Sequence, residues 1–207
     1  MSFFVTLEGP EGGGKTSQAK YLADALVQAD LDVLLTREPG GTEIGDQIRK
    51  VLMSLENTSM DPSTEFLLFS ASRAQLVREI IRPHLSNGGV VVSDRYFHSS
   101  WAYQGYGHRL DLDALRQITD FATTGLSPDL ILLLDLPVDV GLKRRRTGGS
   151  WNRLDAYEEQ FHLRVREGYH AMAQADPDHW VRIDAAQPSD AVREQILSIV
   201  RQRLSQN

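Results

Sequence analysis

Cysteine is absent from the 207 residues of the chain, and no apolar segment reaches membrane-spanning length. Without cysteine the chain can form no disulfide, no thiolate metal site and no cysteine nucleophile. The first residues, MSFFVTLEG, also lack a basic stretch followed by a long apolar run, so we expect a cytoplasmic protein without a membrane partner. Positive charge is in deficit, because 22 Lys and Arg face 28 Asp and Glu for a net charge of −6. This balance argues against a nucleic-acid partner. If the protein binds phosphate, a local binding site must do so, because the net charge does not attract anions.

The composition, with 41% hydrophobic and 24% charged residues, excludes a disordered chain, and the length predicts a single domain over residues 1–207. Short apolar runs alternate with amphipathic stretches, which predicts an α/β fold with a five-stranded parallel sheet flanked by helices on both faces. The predicted strands are Phe3–Leu7, Val33–Thr36, Val90–Ser93, Leu130–Leu134 and Trp180–Ile183. The predicted helices are Thr16–Gln28, Thr42–Leu55, Ser63–Leu85, Leu112–Thr124, Val138–Arg145, Tyr157–Gln174 and Ser189–Leu204.

A glycine-rich segment, GPEGGGKT at residues 9–16, follows the first predicted strand and opens the first predicted helix. It fits G-x-x-x-x-G-K-[ST], the P-loop pattern, in the strand-turn-helix context that this pattern requires. Backbone N–H groups of such a loop attract phosphate, Lys15 can reach the β and γ phosphates, and Thr16 supplies a hydroxyl for Mg²⁺. We therefore predict a nucleoside triphosphate site.

The P-loop leaves the reaction open, because GTPases, ATPase motors and small-molecule kinases share it. A GTPase would carry a guanine-reading Asn-Lys-x-Asp after an apolar strand, whereas residues 130–138 read LILLLDLPV. Within that stretch Asp135 looks like a Walker B acid, but we expect it to cap the following helix. The remaining motifs must identify the second substrate.

Three further segments carry polar groups next to predicted strands or on the long third helix: TREPGGT at 36–42, LLFSASR at 67–73 and DRY at 94–96. A fourth segment, WAYQG at 101–105, follows DRY. Together with GPEGGGKT these four segments resemble the thymidylate kinase family, in family order, from residue 3 to about the start of the last helix. The resemblance implies a P-loop nucleoside monophosphate kinase-like fold. It also implies Mg²⁺-dependent transfer of the γ-phosphoryl group from ATP to dTMP, and a homodimer.

Two arginines, Arg37 and Arg95, each lie just past a predicted strand. Since ligands of open α/β sheets bind at the carboxyl ends of the strands, both guanidinium groups can converge on an acceptor phosphate. Taken singly, each could instead form a surface ion pair with Glu38 or Asp94. Asp94 could assist Mg²⁺ through water or orient Arg95, and the resemblance favours a place near the metal.

Phe69 and Arg73 are four residues apart on a predicted helix and share a face, so a ring can stack on a pyrimidine while a guanidinium donates to a base carbonyl. The alternative for Phe69 is packing in the core. The resemblance implies that Tyr103 and Gln104 select deoxyribose and thymine. The residues expected to bind dTMP are Glu11, Arg37, Phe69, Arg73, Arg95, Ser99, Tyr103 and Gln104.

The densest basic segment, residues 143–146 together with Arg153, is interrupted by the flexible sequence TGGS at 147–150. It could be a nucleic-acid patch or a solvated helix end. The resemblance instead implies a mobile lid at about 143–155 that brings an arginine over the transferred phosphoryl group. Gly12 follows Glu11 where another subclass carries a basic residue, which favours a lid arginine, with Arg153 first and Arg146 and Arg144 next.

The resemblance implies that Glu11 accepts a hydrogen bond from the sugar 3′-hydroxyl of the acceptor, with a solvent-facing loop acid as the alternative. The expected catalytic residues are Lys15, Arg37, Arg95, Arg153 and Arg146. The expected ATP-binding residues are Gly9, Pro10, Glu11, Gly12, Gly13, Gly14, Lys15, Thr16, Arg144 and Gln187, with Thr16 and Asp94 at the metal. Another P-loop nucleotide or nucleoside kinase and a nucleotide-dependent regulatory switch remain alternatives.

Overall fold

A computed structural model, which describes residues 2–148 and 151–206, contains a five-stranded parallel sheet with the strand order β2-β3-β1-β4-β5. All five predicted strands are confirmed. Each one continues for a single polar residue beyond its predicted end, because that residue still pairs in the ladder although it is not apolar. The strands are β1 Phe3–Glu8, β2 Val33–Arg37, β3 Val90–Asp94, β4 Leu130–Asp135 and β5 Trp180–Asp184.

Helices cover both faces of the sheet. On one face, α1 and α9 contribute Leu22, Leu26, Ile196 and Val200 to the apolar core. On the other face, α3 and α8 pack over separate clusters. The helices are α1 Lys15–Val27, α2 Glu43–Met53, α3 Pro62–Leu76, α4 Arg82–Ser86, α5 Phe97–Ser100, α6 Leu112–Thr123, α7 Val138–Thr147, α8 Glu159–Ala175 and α9 Ser189–Leu204.

The helix predicted over 63–85 is one continuous helical run, in which the π-helical turns of Val77–Ile81 join α3 to α4. Its first residue follows Asp61, whose carboxylate accepts a hydrogen bond from the Ser63 backbone N–H at 2.8 Å. Thr42 and Asp111 cap α2 and α6 in the same way. These side chains satisfy backbone donors that have no partner inside the helix.

Residues 97–107 form a helical segment that the sequence did not predict, namely α5 followed by the π-helical turns of Trp101–Gly107. This segment does not look helical in the sequence because it contains Gly105 and Gly107, and glycine disfavours helices. Gly107 is nevertheless required where α8 packs on these turns, since a Cβ atom there would lie 2.6 Å from the Phe161 ring. Close packing has overridden helix propensity at this place.

Among the residues that the structure describes, no helix combines the length and the apolar character needed to cross a membrane.

Candidate active site

A cavity of about 520 Å³ lies at the carboxyl ends of β1, β2 and β3. The P-loop forms one wall, and the other walls are formed by residues of α3, of the π-helical turns Trp101–Gly107 and of α7. The predicted site residues that line it are Glu11, Gly12, Gly14, Lys15, Thr16, Arg37, Phe69, Asp94, Arg95, Ser99, Tyr103, Gln104 and Arg144.

The P-loop packs directly on α7. A Cβ atom on Gly12 would lie 2.3 Å from the Gly141 carbonyl oxygen, and a Cβ atom on Gly141 would lie 2.2 Å from the Glu11 carbonyl oxygen. Gly12 also has φ +75, which disfavours any side chain. This contact between two glycines fixes where the basic end of α7 lies relative to the phosphate loop.

Lys15 begins α1, and its ammonium group donates to the Pro10 carbonyl oxygen at 2.7 Å. The side chain is buried. Burial and the nearby charge of Arg95 lower the pKa of Lys15 to about 8, although Glu11 opposes the shift. Its proton is therefore held less firmly than that of an exposed lysine.

Thr16 and Asp94 meet at the predicted metal position, where Thr16 Oγ1 donates to Asp94 Oδ2 at 2.5 Å. A hydroxyl and a carboxylate are the hard oxygen donors that Mg²⁺ prefers. No group of three or more His, Cys, Asp or Glu residues suited to a metal occurs in the described part of the chain. A pair of protein oxygens nevertheless suits Mg²⁺, because this ion usually keeps water and substrate phosphates as its other ligands.

Arg95 joins the P-loop to the acceptor wall. One Nη atom donates to Glu11 at 2.7 Å and the other donates to Ser99 at 3.0 Å, while the Tyr103 hydroxyl donates to Glu11 at 2.8 Å. Burial raises the pKa of the Glu11 carboxyl, but Arg95 and Lys15 outweigh it and lower that pKa to about 2. Arg95 has φ 73, a left-handed conformation that costs free energy and is most common at functional sites.

Glu8, at the end of β1, supports this arrangement and was missed in the sequence. Its fully buried carboxylate accepts hydrogen bonds from the Tyr96 backbone N–H at 2.7 Å, from Ser99 Oγ at 2.6 Å and from Tyr169 at 3.1 Å. Burial raises the pKa of Glu8 above its usual value. A carboxylate that ends an apolar strand directly before a P-loop was the signal available in the sequence.

Arg37 lines the cavity from the end of β2, but its ion-pair partner is neither Glu38 nor Asp94, the two carboxylates that the sequence suggests. It donates to Asp46 of α2 at 3.0 Å, and both side chains are about half exposed. Arg49, one helical turn further along α2, also lines the cavity and was not predicted. Its pKa is lowered by burial and by the charge of Arg37.

Arg73, which the sequence places at the acceptor base, is buried and does not line the cavity, and its partner is Glu38. Its Nε donates to Glu38 Oε2 at 2.8 Å and its Nη2 donates to Ser100 at 2.9 Å, while Nη1 has no hydrogen-bond partner among the described residues. Burial raises the pKa of Glu38 to about 7 although Arg73 opposes the shift. Phe69 lines the cavity, whereas Phe66 occupies the core, so the core alternative for Phe69 is wrong.

The basic segment is arranged differently from the prediction. Arg153 does not line the cavity, because it is 3% exposed and forms an ion pair with Glu65 at 2.5 Å. Arg146 is exposed and lies over the Trp151 ring, away from the cavity wall. Arg145, which was not selected, lines the cavity, pairs with Asp155 at 2.6 Å and lies 3.9 Å from Glu11. Gly149 and Ser150 of the predicted lid lie outside the described residues.

Arg144 connects the P-loop to the loop after β5. It donates to the carbonyl oxygens of Ala185 at 2.8 Å and Gly12 at 3.4 Å, so it lies beside the P-loop. Gln187 is exposed and does not line the cavity. The capping role expected for Asp135 is wrong, because its carboxylate accepts from Arg166 and no side chain of the described residues caps the start of α7.

A P-loop at the carboxyl edge of a parallel sheet, with arginines facing it across one cavity, defines a P-loop nucleotide kinase. Residues 7–196 match the family profile described as Thymidylate kinase, and the chain therefore belongs to the thymidylate kinase family. It is 50% identical to the thymidylate kinase of Roseiflexus castenholzii (strain DSM 13941 / HLO8), over 99% of this chain and 95% of that protein. It is 47% identical to that of Deinococcus radiodurans, over 98% of both chains. The crystal structure of thymidylate kinase from Ehrlichia chaffeensis superposes with a TM-score of 0.80 at 28% identity, covering 96% of this chain and 98% of that one.

Proposed function

We propose that this protein transfers the γ-phosphoryl group of ATP to dTMP, producing ADP and dTDP. The observation that carries the proposal is that Lys15 and Thr16 of the P-loop line the same cavity as Arg37, Arg95 and Phe69 of the acceptor wall. Two anionic substrates bound at opposite walls would bring their phosphates together between these groups. The family to which the chain belongs supports dTMP as the acceptor.

The transfer needs no general base on the protein. An ionised oxygen of the dTMP phosphate attacks the γ-phosphorus, and the bond from that phosphorus to the β-phosphate oxygen breaks as ADP leaves. Lys15 and Arg95 would neutralise charge on the donor and acceptor phosphates, while Glu11 would receive the sugar 3′-hydroxyl. Mg²⁺, held through Thr16 and Asp94, would supply Lewis-acid stabilisation of the phosphate oxygens.

We propose Arg145, rather than the Arg153 expected first, as the lid arginine that faces the transferred group. Arg145 lies 3.9 Å from Glu11 on the cavity wall, and Asp155 holds its guanidinium in place. Arg153 is committed to Glu65 and to the Leu52 carbonyl oxygen at 2.9 Å. The single domain would then carry its lid at about 143–155.

We also propose a cytoplasmic homodimer formed through the helices on either side of β3. The supporting observation is the exposure of large apolar side chains there, with Leu67 on α3 at 53% and Phe121 on α6 at 76%. Sedimentation analysis tests this proposal, because Phe121→Asp should convert the dimer into a monomer. A wild-type protein that sediments as a monomer would exclude it.

The substrate assignment is tested by measuring ADP release from ATP with a panel of nucleoside monophosphates. Fast release with dTMP and slower release with dUMP would support the proposal. Release that depends on another monophosphate or nucleoside would indicate a different kinase. Release at the same rate without any acceptor would indicate an ATPase or a switch.

A further inference from the structure

A buried carboxylate outside the cavity, that of Glu65 in the first turn of α3, is bound from several directions. It is fully buried and does not line the cavity. Gln104 donates to its Oε1 at 2.5 Å, Tyr157 donates to its Oε2 at 3.0 Å, and Arg153 pairs with it at 2.5 Å. Burial opposes ionisation of Glu65, yet its pKa lies below the usual value because His108 and Arg153 stabilise the charge.

On one side, Glu65 reaches the acceptor-base pocket. Gln104 lines the cavity, and its amide oxygen has no hydrogen-bond partner among the described residues, so it can accept from the N–H of a base. Phe69 follows Glu65 by one helical turn on the same face of α3 and also lines the cavity. The Glu65 carboxylate therefore fixes the orientation of the amide that faces the acceptor.

On its other side, Glu65 holds the segment after the lid, residues 151–157, which we call the post-lid segment. Arg153 and Tyr157 of this segment contact Glu65, and Arg153 also donates to the Leu52 carbonyl oxygen on α2. Asp155, in the same segment, binds the Arg145 guanidinium at 2.6 Å. The position of Arg145 thus depends on a segment that Glu65 anchors.

We propose that Glu65 is a positioning residue that couples occupation of the acceptor-base pocket to the post-lid segment and, through Asp155, to Arg145. A base bound at Gln104 adds a contact that favours the anchored arrangement, so the acceptor stabilises the post-lid segment. This inference rests on the proposed function, because it takes dTMP as the occupant of the pocket. None of the contacts requires Glu65 to touch a substrate.

Hydrogen–deuterium exchange of the full-length protein, with and without saturating dTMP and without ATP, tests the coupling. In the wild type, dTMP should slow exchange within 151–157 by about tenfold, a typical size for coupling between two sites. In the Glu65→Gln variant this protection should be lost, while calorimetry should show that the variant still binds dTMP. The kcat of the variant should fall as well, because Arg145 is no longer held. Exposed Glu79, on the π-helical turns after α3, provides the matched control Glu79→Gln, which should keep the protection.

The double variant Glu65→Gln with Arg153→Met distinguishes the proposed coupling role of Glu65 from a merely structural role. Neither member of the buried pair then leaves the other charge unpaired, so thermal stability should recover relative to the single variants. The acceptor-dependent protection should stay lost in this variant. The double variant also carries the test if Glu65→Gln alone folds poorly.

The inference is overturned if either variant, saturated with dTMP, protects residues 151–157 as the wild type does. It is also overturned if the wild type phosphorylates dTMP while dTMP leaves that segment unprotected. Failure of the wild type to bind or phosphorylate dTMP would overturn the proposed function, and the inference with it.

Discussion

The two walls of the cavity bind phosphate by different means. The donor wall is the P-loop, a continuous segment of eight residues that offers backbone N–H groups and one lysine to an anion. The acceptor wall is assembled from side chains on several elements, and each of its principal arginines is bound to a carboxylate. The pairs at or beside the cavity are Arg37–Asp46, Arg73–Glu38, Arg95–Glu11, Arg145–Asp155 and Arg153–Glu65.

This difference shows how a protein with a net charge of −6 can bind two anionic nucleotides. Carboxylates hold the arginines in place before substrate arrives, so little side-chain freedom is lost on binding. The same carboxylates compete with the substrate phosphate, which limits how tightly the acceptor is held. Backbone donors at the P-loop face no such competition. The donor wall should therefore depend on single residues, and the acceptor wall on pairs.

The largest effect is expected at the donor wall, where Lys15 is the one cationic side chain of the P-loop sequence. Lys15→Ala should lower kcat by about a thousandfold, the upper end of the effect of removing one transition-state donor. The dTMP dissociation constant should change little, because the acceptor wall is intact. Steady-state kinetics together with calorimetry of dTMP alone measure both quantities. A variant with the kcat of the wild type would contradict the role assigned to Lys15.

The next effect separates two arginines that look equivalent in the sequence. Arg145→Met should lower kcat by about a hundredfold, because we place Arg145 against the transferred group, and it should also cost stability, because it leaves the buried Asp155 carboxylate without its guanidinium partner. Arg153→Met should destabilise the fold by about 3–5 kcal/mol, because it leaves the buried Glu65 charge unpaired, while the kcat of the folded enzyme should fall less than in Arg145→Met. The exposed neighbour Arg146 provides the control Arg146→Met, which should change neither quantity.

Kinetics and thermal unfolding of the three variants decide between these roles. If Arg153→Met loses kcat at unchanged stability while Arg145→Met behaves like the control, then Arg153 and not Arg145 acts on the transferred group.

A smaller effect is expected where a pair controls specificity. Glu38→Gln replaces the carboxylate that orients Arg73, so Arg73 Nη1, which we propose as the donor to the base carbonyl of dTMP, is held less firmly. The preference for dTMP over dCMP, measured as the ratio of kcat/KM values, should fall by about tenfold. Exposed Glu43→Gln is the control on α2 and should keep the wild-type ratio. An unchanged ratio in Glu38→Gln would show that Arg73 is oriented without its partner.

The donor wall could be predicted from the sequence because its parts are adjacent in the chain and its chemistry belongs to the backbone. The arginines of the acceptor wall were also found, since Arg37 and Arg95 follow strands that end at one edge. Their partners were not. Consecutive side chains on an extended strand point to opposite faces, so Arg37 does not meet Glu38. Glu38 pairs with Arg73, and Arg95 pairs with Glu11, 84 residues earlier.

The lid shows why the remaining choice could not be made from spacing. Three successive arginines on a helix point in directions about 100° apart, so only the docking of the helix decides which one faces the cavity. For α7 that docking depends on the contact between Gly12 and Gly141, two residues 129 positions apart by their numbers. Local sequence carries no information about such a contact, so it does not predict Arg145 as a residue of the cavity wall.

The smallest effect concerns pH and sharpens the contrast between the walls. Because burial lowers the pKa of Lys15 to about 8, the free enzyme loses the Lys15 charge as the pH rises through 8. The pH dependence of kcat/KM reports groups of the free enzyme, so kcat/KM for ATP should fall about fourfold between pH 7 and 8.5.

The arginines keep their charge throughout this range, since their ordinary pKa is far higher. The dTMP dissociation constant, measured without ATP, should change by no more than about twofold over the same interval, because Glu38, whose pKa is about 7, is already about half ionised at pH 7. A parallel fall of ATP and dTMP affinity would show that one group serves both walls, and the division between single donor residues and paired acceptor residues would fail.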